Sequence, residues 1–190
     1  MPLNIPNLLT LLRILLIPVF VAVFYLPTSW IEPHAVNFYA ASIFIVAALT
    51  DWLDGYLARA LNQTSAFGAF LDPVADKLMV AAALVVLVKL QRVDVGIALI
   101  IIGREIAISA LREWMAGIGK SKNVAVSFIG KLKTTAQMAA ILLLLYHDPV
   151  AGMFDSQAVG TILIYIAAIL TLWSMAYYLK KAWPQIAGQN

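Results

Sequence analysis

Six long apolar runs, none of them alternating with a period of two, set the terms for any fold this chain can adopt. About 20 helical residues cross the roughly 30 Å of hydrocarbon in a bilayer. Within lipid only helices and closed barrels satisfy every backbone amide, and a barrel needs short alternating strands. The runs therefore predict an all-α polytopic membrane protein with six transmembrane helices. They extend from about Leu8 to Leu26, Ala35 to Leu61, Pro73 to Leu90, Val95 to Met115, Lys131 to Tyr146 and Val159 to Leu179. Composition agrees: of 190 residues 63% are apolar and only 12% charged, too little polar surface to coat a water-soluble globule. No internal repeat or low-complexity tract divides the chain, so one domain is expected over residues 1–190. Met1 to Ile5 lacks the basic segment that opens a cleaved signal peptide, and the first run is expected to be a retained span.

Six spans put both termini on one side, and basic residues indicate which. Eleven of the 13 lysines and arginines, from Arg13 to Lys181, fall toward one set of span ends, against Lys89 and Arg92 at the other. The richer face, with both termini, is expected in the cytoplasm. Trp30, Tyr39, Trp173, Tyr177, Tyr178 and Trp183 lie near span ends, where amphipathic rings favour the membrane interface. Orientation accounts for the formal charge of +3, and no nucleic-acid partner is expected. There is no cysteine, and His34 and His147 lie away from the charged clusters, so any metal should be bound by oxygen.

Chemistry concentrates in Asp51-Trp-Leu-Asp54-Gly55-Tyr-Leu-Ala58-Arg59, followed by Gly68-Ala-Phe-Leu-Asp72-Pro-Val-Ala-Asp76. Asp51 and Asp54 share a face near the end of the second helix, and Asp72 and Asp76 share one at the start of the third. Asp72 precedes Pro73, which predicts an N-cap followed by proline at the first helical position. Four carboxylates at the edge of a low-dielectric slab cannot all ionise without compensation. Arg59 and Lys77 are expected to offset part of that charge. The remainder calls for divalent cations or protonated carboxyls, and oxygen ligands of this kind suit Mg²⁺, Mn²⁺ or Ca²⁺. Two readings stand for Gly55 and Gly68, close helix packing and a backbone open to a nucleotide. Ala58 reads as a small residue where bulk would block the site.

The spacing D-x2-D-G-x2-A-R-x8-G-x3-D-x3-D resembles in full the signature of the CDP-alcohol phosphotransferase family. That resemblance implies six transmembrane helices, a homodimer, divalent metal, and displacement of CMP from a CDP-alcohol by the hydroxyl of a second alcohol. By the same resemblance Asp51, Asp54, Asp72 and Asp76 are metal ligands, and Asp76 is the general base. Asp54, Gly55, Ala58, Arg59 and Gly68 would hold the CDP-alcohol. Asn4-Ile-Pro-Asn-Leu-Leu-Thr10-Leu-Leu-Arg13, Phe67 to Met79 and Gly103 to Met115 are similar to a bacterial subgroup. For that subgroup the donor is CDP-diacylglycerol, the acceptor glycerol 3-phosphate, and the location the inner (plasma) membrane with the site facing the cytoplasm.

A small dianionic acceptor asks for basic groups near the metals. Arg104 and Arg112, about two helical turns apart, and Lys131 and Lys133 are the candidates for its phosphate. Each arginine also has an alternative partner, Glu105 or Asp76 for Arg104 and Glu113 for Arg112. Lys120 and Lys122 suit anionic headgroups. Rival functions are a family member with another acceptor (cardiolipin or phosphatidylinositol type), a membrane prenyltransferase, or a cation transporter. The first differs only in acceptor. The second would show a D-D-x-x-D run, and the third would place its carboxylates near the bilayer midplane on broken helices.

Overall fold

The computed structural model describes residues 4–61, 66–119, 128–149 and 154–188. Among them the chain forms six helices: α1 (Ile5–Val23), α2 (Pro33–Ala60), α3 (Ala66–Lys89), α4 (Val95–Gly117), α5 (Phe128–Tyr146) and α6 (Ser156–Ile186). Each apolar run is thus a helix, and the chain is an all-α polytopic membrane protein. Within the described residues, α1 from Pro6 to Val23, α2 from Pro33 to Ala58, and α6 are long and apolar enough to cross a membrane. The apolar part of α5, Leu132–Tyr146, is shorter. Charged residues interrupt α3 and α4, at Asp72, Asp76 and Lys77 and at Arg104, Glu105, Arg112 and Glu113.

Local chemistry sets the helix starts. Pro6 occupies the first turn of α1, where a missing amide hydrogen costs nothing. Asp94 accepts from Gly96 N at 2.7 Å and Asp155 from Gln157 N at 2.8 Å, capping α4 and α6. The expected start of the third helix is corrected. α3 begins at Ala66, so Pro73 lies inside it and Asp72 is a helical residue, not its N-cap. Apolar residues from Ala66 to Leu71 continue the helix toward the N-terminus. Pro73 forfeits its bond to the Ala69 carbonyl and its ring crowds that oxygen, yet the helix runs through it.

α1 packs against both α2 and α3, which scarcely touch each other, so the first helix lies in the groove between the two aspartate helices. α5 packs most extensively on α6 and also on α2, and α4 rests on α6. Phe20, Phe44, Leu84, Leu87, Ile101, Ile141 and Leu144 fill the common core. The exterior is apolar as well: Leu99 is 70% exposed and Ile169 65%, which suits a surface solvated by lipid. At one end of the bundle α3 closes with Arg92 N bonded to Leu87 O and Gln91 N to Val88 O, with Gln91 at φ 58°. This turn aims Arg92 at the α5 terminus, where it donates to Leu144 O (3.0 Å), Leu145 O (3.1 Å) and Asn37 Oδ1 (2.9 Å).

Candidate active site

Thr10 and Arg13 are one helical turn apart on α1 and face the groove between α2 and α3. Arg13 is only 1% exposed, and its Nη1 lies 2.7 Å from Asp51 Oδ1 and 3.7 Å from Asp76 Oδ1. Its Nη2 donates to Asp54 Oδ2. Thr10 Oγ1 donates to Asp72 Oδ1 at 2.6 Å, with the Pro6 carbonyl a second acceptor at 3.2 Å. The first helix therefore touches all four motif carboxylates. Arg13 supplies charge compensation that the sequence did not assign to it, in addition to the part expected from Arg59 and Lys77. Lys77 lines the neighbouring cavity, and the Arg59 side chain lies outside the described residues.

That cavity, of about 480 Å³, opens beside the cluster. Asp51, Asp72, Asp76 and Lys77 line one part of it, with Glu105, Ser109 and Arg112 from α4 and Thr134 and Gln137 from α5. Asp54 is buried, whereas Asp51 and Asp76 keep about half of their side chains exposed. Among the described residues no three Asp, Glu or His side chains converge as a ready metal cage, because these carboxylates turn toward Arg13 and Thr10. The donor set nonetheless fits a hard divalent cation: it is all oxygen, on two helices, with three members sharing one cavity. Gly55 and Ala58 follow Asp54 on α2, half-buried, and Gly68 is buried near the start of α3.

Of the basic residues expected at an acceptor phosphate whose side chains are described, Arg112 alone is among those lining the cavity. Its guanidinium lies 5.3 Å from the Tyr178 ring centroid, Nη2 is 3.4 Å from the Tyr178 hydroxyl, and Nε is buried with no hydrogen-bond partner among the described residues. Arg104 is set back, donating to Ser174 Oγ at 2.9 Å and lying 3.4 Å from Glu105 Oε1. Lys133 is buried and ion-paired to the same Glu105 oxygen. One carboxylate on the cavity wall thus engages two of the expected bases, and the Lys131 side chain lies outside the described residues, as do Lys120 and Lys122. Tyr178, expected at the membrane interface, is instead 1% exposed and sits between Arg104 and Arg112.

Sequence reasoning gave Thr10 and Arg13 no chemical role, and it passed over Ser109, Thr134 and Gln137. A signal for Arg13 existed: a lone charge amid an apolar run needs a buried partner. Residues 3–173 match the family described as CDP-alcohol phosphatidyltransferase. The chain is similar to the CDP-diacylglycerol–glycerol-3-phosphate 3-phosphatidyltransferases of Escherichia coli (strain K12) and Shigella flexneri serotype 5b (strain 8401). To each it is 53% identical over 192 residues, covering 100% of both chains.

Proposed function

This chain belongs to the CDP-alcohol phosphatidyltransferase family, and from that premise we propose the reaction its own site performs. It transfers the phosphatidyl group of CDP-diacylglycerol to glycerol 3-phosphate, giving phosphatidylglycerophosphate and CMP. The protein is a multi-pass enzyme of the bacterial inner membrane. The observation that carries the reading is one cavity lined by Asp51, Asp72 and Asp76 together with Arg112. It joins groups suited to a diphosphate and its metal to a cation suited to an acceptor phosphate.

The acceptor hydroxyl attacks the β-phosphorus of the donor in line. A phosphorus–oxygen bond forms, the bond to the bridging oxygen breaks, and CMP departs with that oxygen. Asp76, half-exposed on the cavity wall, takes the hydroxyl proton. Asp51, Asp54, Asp72 and Asp76 would hold the divalent metal the family requires, as two Mg²⁺ or Mn²⁺ ions, whose charge neutralises the diphosphate and steadies the leaving oxygen. Asp54, Gly55, Ala58, Arg59 and Gly68 hold the CDP portion. Arg112 binds the acceptor phosphate, with Arg104, Lys131 and Lys133 as the basic field behind it. Glu105 limits how much positive charge Arg104 and Lys133 present.

The whole of residues 1–190 works as one domain, with α3, α4 and α5 crossing the bilayer alongside α1, α2 and α6. Both termini then lie in the cytoplasm, as the bias of basic residues supports, and family resemblance supports a homodimer. The test is CMP release by purified protein in detergent with CDP-diacylglycerol, Mg²⁺ or Mn²⁺, and separate acceptors. Fast release with glycerol 3-phosphate, abolished by chelator and by Asp72→Asn, is expected. Release with phosphatidylglycerol or inositol instead would overturn the acceptor and keep the chemistry.

A further inference from the structure

Gln137 makes a chemical demand that the transfer chemistry leaves unmet. Its side chain is 3% exposed and lines the cavity, and its Oε1 is buried with no hydrogen-bond partner among the described residues. A buried carbonyl without a donor is destabilising, so the position asks for one. The two hydroxyl residues of the wall do not provide it. Ser109 Oγ donates to Glu105 O at 2.8 Å and Thr134 Oγ1 to Gly130 O at 3.0 Å, so both hydroxyl protons are engaged by their own helices. Arg112, another residue of the cavity wall, likewise has a buried donor, Nε, without an acceptor among the described residues.

A ligand carrying both an anion and a free hydroxyl answers the two demands together. Phosphate oxygens only accept, so they suit Arg112 and not a carbonyl. A hydroxyl both donates and accepts, and the terminal amide torsion of glutamine is broad and roughly two-fold, so the amide can turn to meet it. Glycerol 3-phosphate has two hydroxyls: the unhindered terminal one attacks, and the middle one remains. We propose that Gln137 is a specificity-determining residue that hydrogen-bonds the middle hydroxyl of the acceptor while Arg112 holds its phosphate. The proposal rests on the acceptor reading of the cavity. Its consequence is selection: an acceptor without the middle hydroxyl leaves the Gln137 carbonyl unpaired in the complex, and such sites reject the lacking analogue strongly.

The test compares glycerol 3-phosphate with 3-hydroxypropyl phosphate, which keeps the phosphate and the terminal hydroxyl but lacks the middle one. Full-length protein in detergent is assayed for CMP release at saturating CDP-diacylglycerol and Mg²⁺. Wild type should favour glycerol 3-phosphate by about 10- to 100-fold in kcat/KM, the cost of one buried polar group left unpaired. Gln137→Met, similar in length but without the amide, should lose about that factor with glycerol 3-phosphate and stay within about twofold with the analogue. Equal use of both acceptors by wild type would overturn the proposal before any variant is made. An equal fall for both acceptors in Gln137→Met would overturn it too, by making the residue a packing element. Should Gln137→Met fail to fold, Gln137→Leu and the wild-type ratio decide. Wild type inactive with both phosphates but active with inositol or phosphatidylglycerol would sink the acceptor assignment itself. Normal turnover with no preference sinks only the role of Gln137.

Discussion

The hydroxyl of Thr10 reaches from the first helix to Asp72 on the third and donates a hydrogen bond to its carboxylate at 2.6 Å. Neither residue belongs to the other's stretch of sequence, and the contact fixes one aspartate of the cluster in place. Thr10→Val keeps the shape and removes the donor. A hydrogen bond to a charged group contributes about 1.5–3 kcal/mol. CMP release should fall about 10-fold, with a raised Mg²⁺ requirement in the activity titration. Thr10→Ser, which restores the hydroxyl, should recover most of the loss.

Arg13 engages Asp51 and Asp54 with separate nitrogens from a position 1% exposed. Removing one partner of a buried pair costs about 3–5 kcal/mol, because the remaining charge is stranded. Arg13→Met should lower the melting temperature in detergent and reduce CMP release at least about 100-fold. Arg13→Lys, a point charge without the planar fork, should fall between.

Asp76 is assigned the proton. Asp76→Asn should lower kcat by about 100- to 10,000-fold, the range of a lost general base. CDP-diacylglycerol should still bind, measured by the protection it gives against thermal unfolding. Near-normal turnover in this variant would remove Asp76 from that role.

Arg112 lies on the cavity, whereas Arg104 and Lys133 are held by Glu105. Arg112→Gln should raise KM for glycerol 3-phosphate about 10-fold or more, in line with a lost charge-assisted bond. KM for CDP-diacylglycerol should stay within about twofold. A change in the donor constant alone would place the guanidinium on the other substrate.

Arg92 ties α3 to the end of α5 and to Asn37 of α2, outside the proposed site. Arg92→Met should destabilise the bundle by about 2–4 kcal/mol, seen as a lower melting temperature. Below that temperature kcat and both KM values should be close to wild type.

Much of this arrangement was legible in the sequence, for identifiable reasons. The six helices follow from apolar runs, which lipid permits to be little else. Asp51 with Asp54 and Asp72 with Asp76 are paired by spacing alone, since residues three or four apart share a helix face. Pro73 misled because proline commonly opens helices; here the helix simply continues back to Ala66. Tyr178 read as an interface ring because its neighbours are aromatic and basic, but two guanidiniums draw it inward. The carboxylate partners of Thr10 and Arg13 lie 38 to 63 residues away. Such contacts depend on which helix fills which groove, and no local periodicity encodes that.

The position of α1 between the aspartate helices bears on how the protein enters the membrane. α1 precedes the rest of the bundle in the chain, with Arg13 in its apolar run, and an unpaired arginine within a span opposes insertion. Asp51 and Asp54, which neutralise it, arrive only with the far end of the second helix. Each helix alone carries a charge that lipid opposes, while the two together carry an internal ion pair. The first two helices are therefore best released into the bilayer as a hairpin, and assembly of the carboxylate cluster begins with that step.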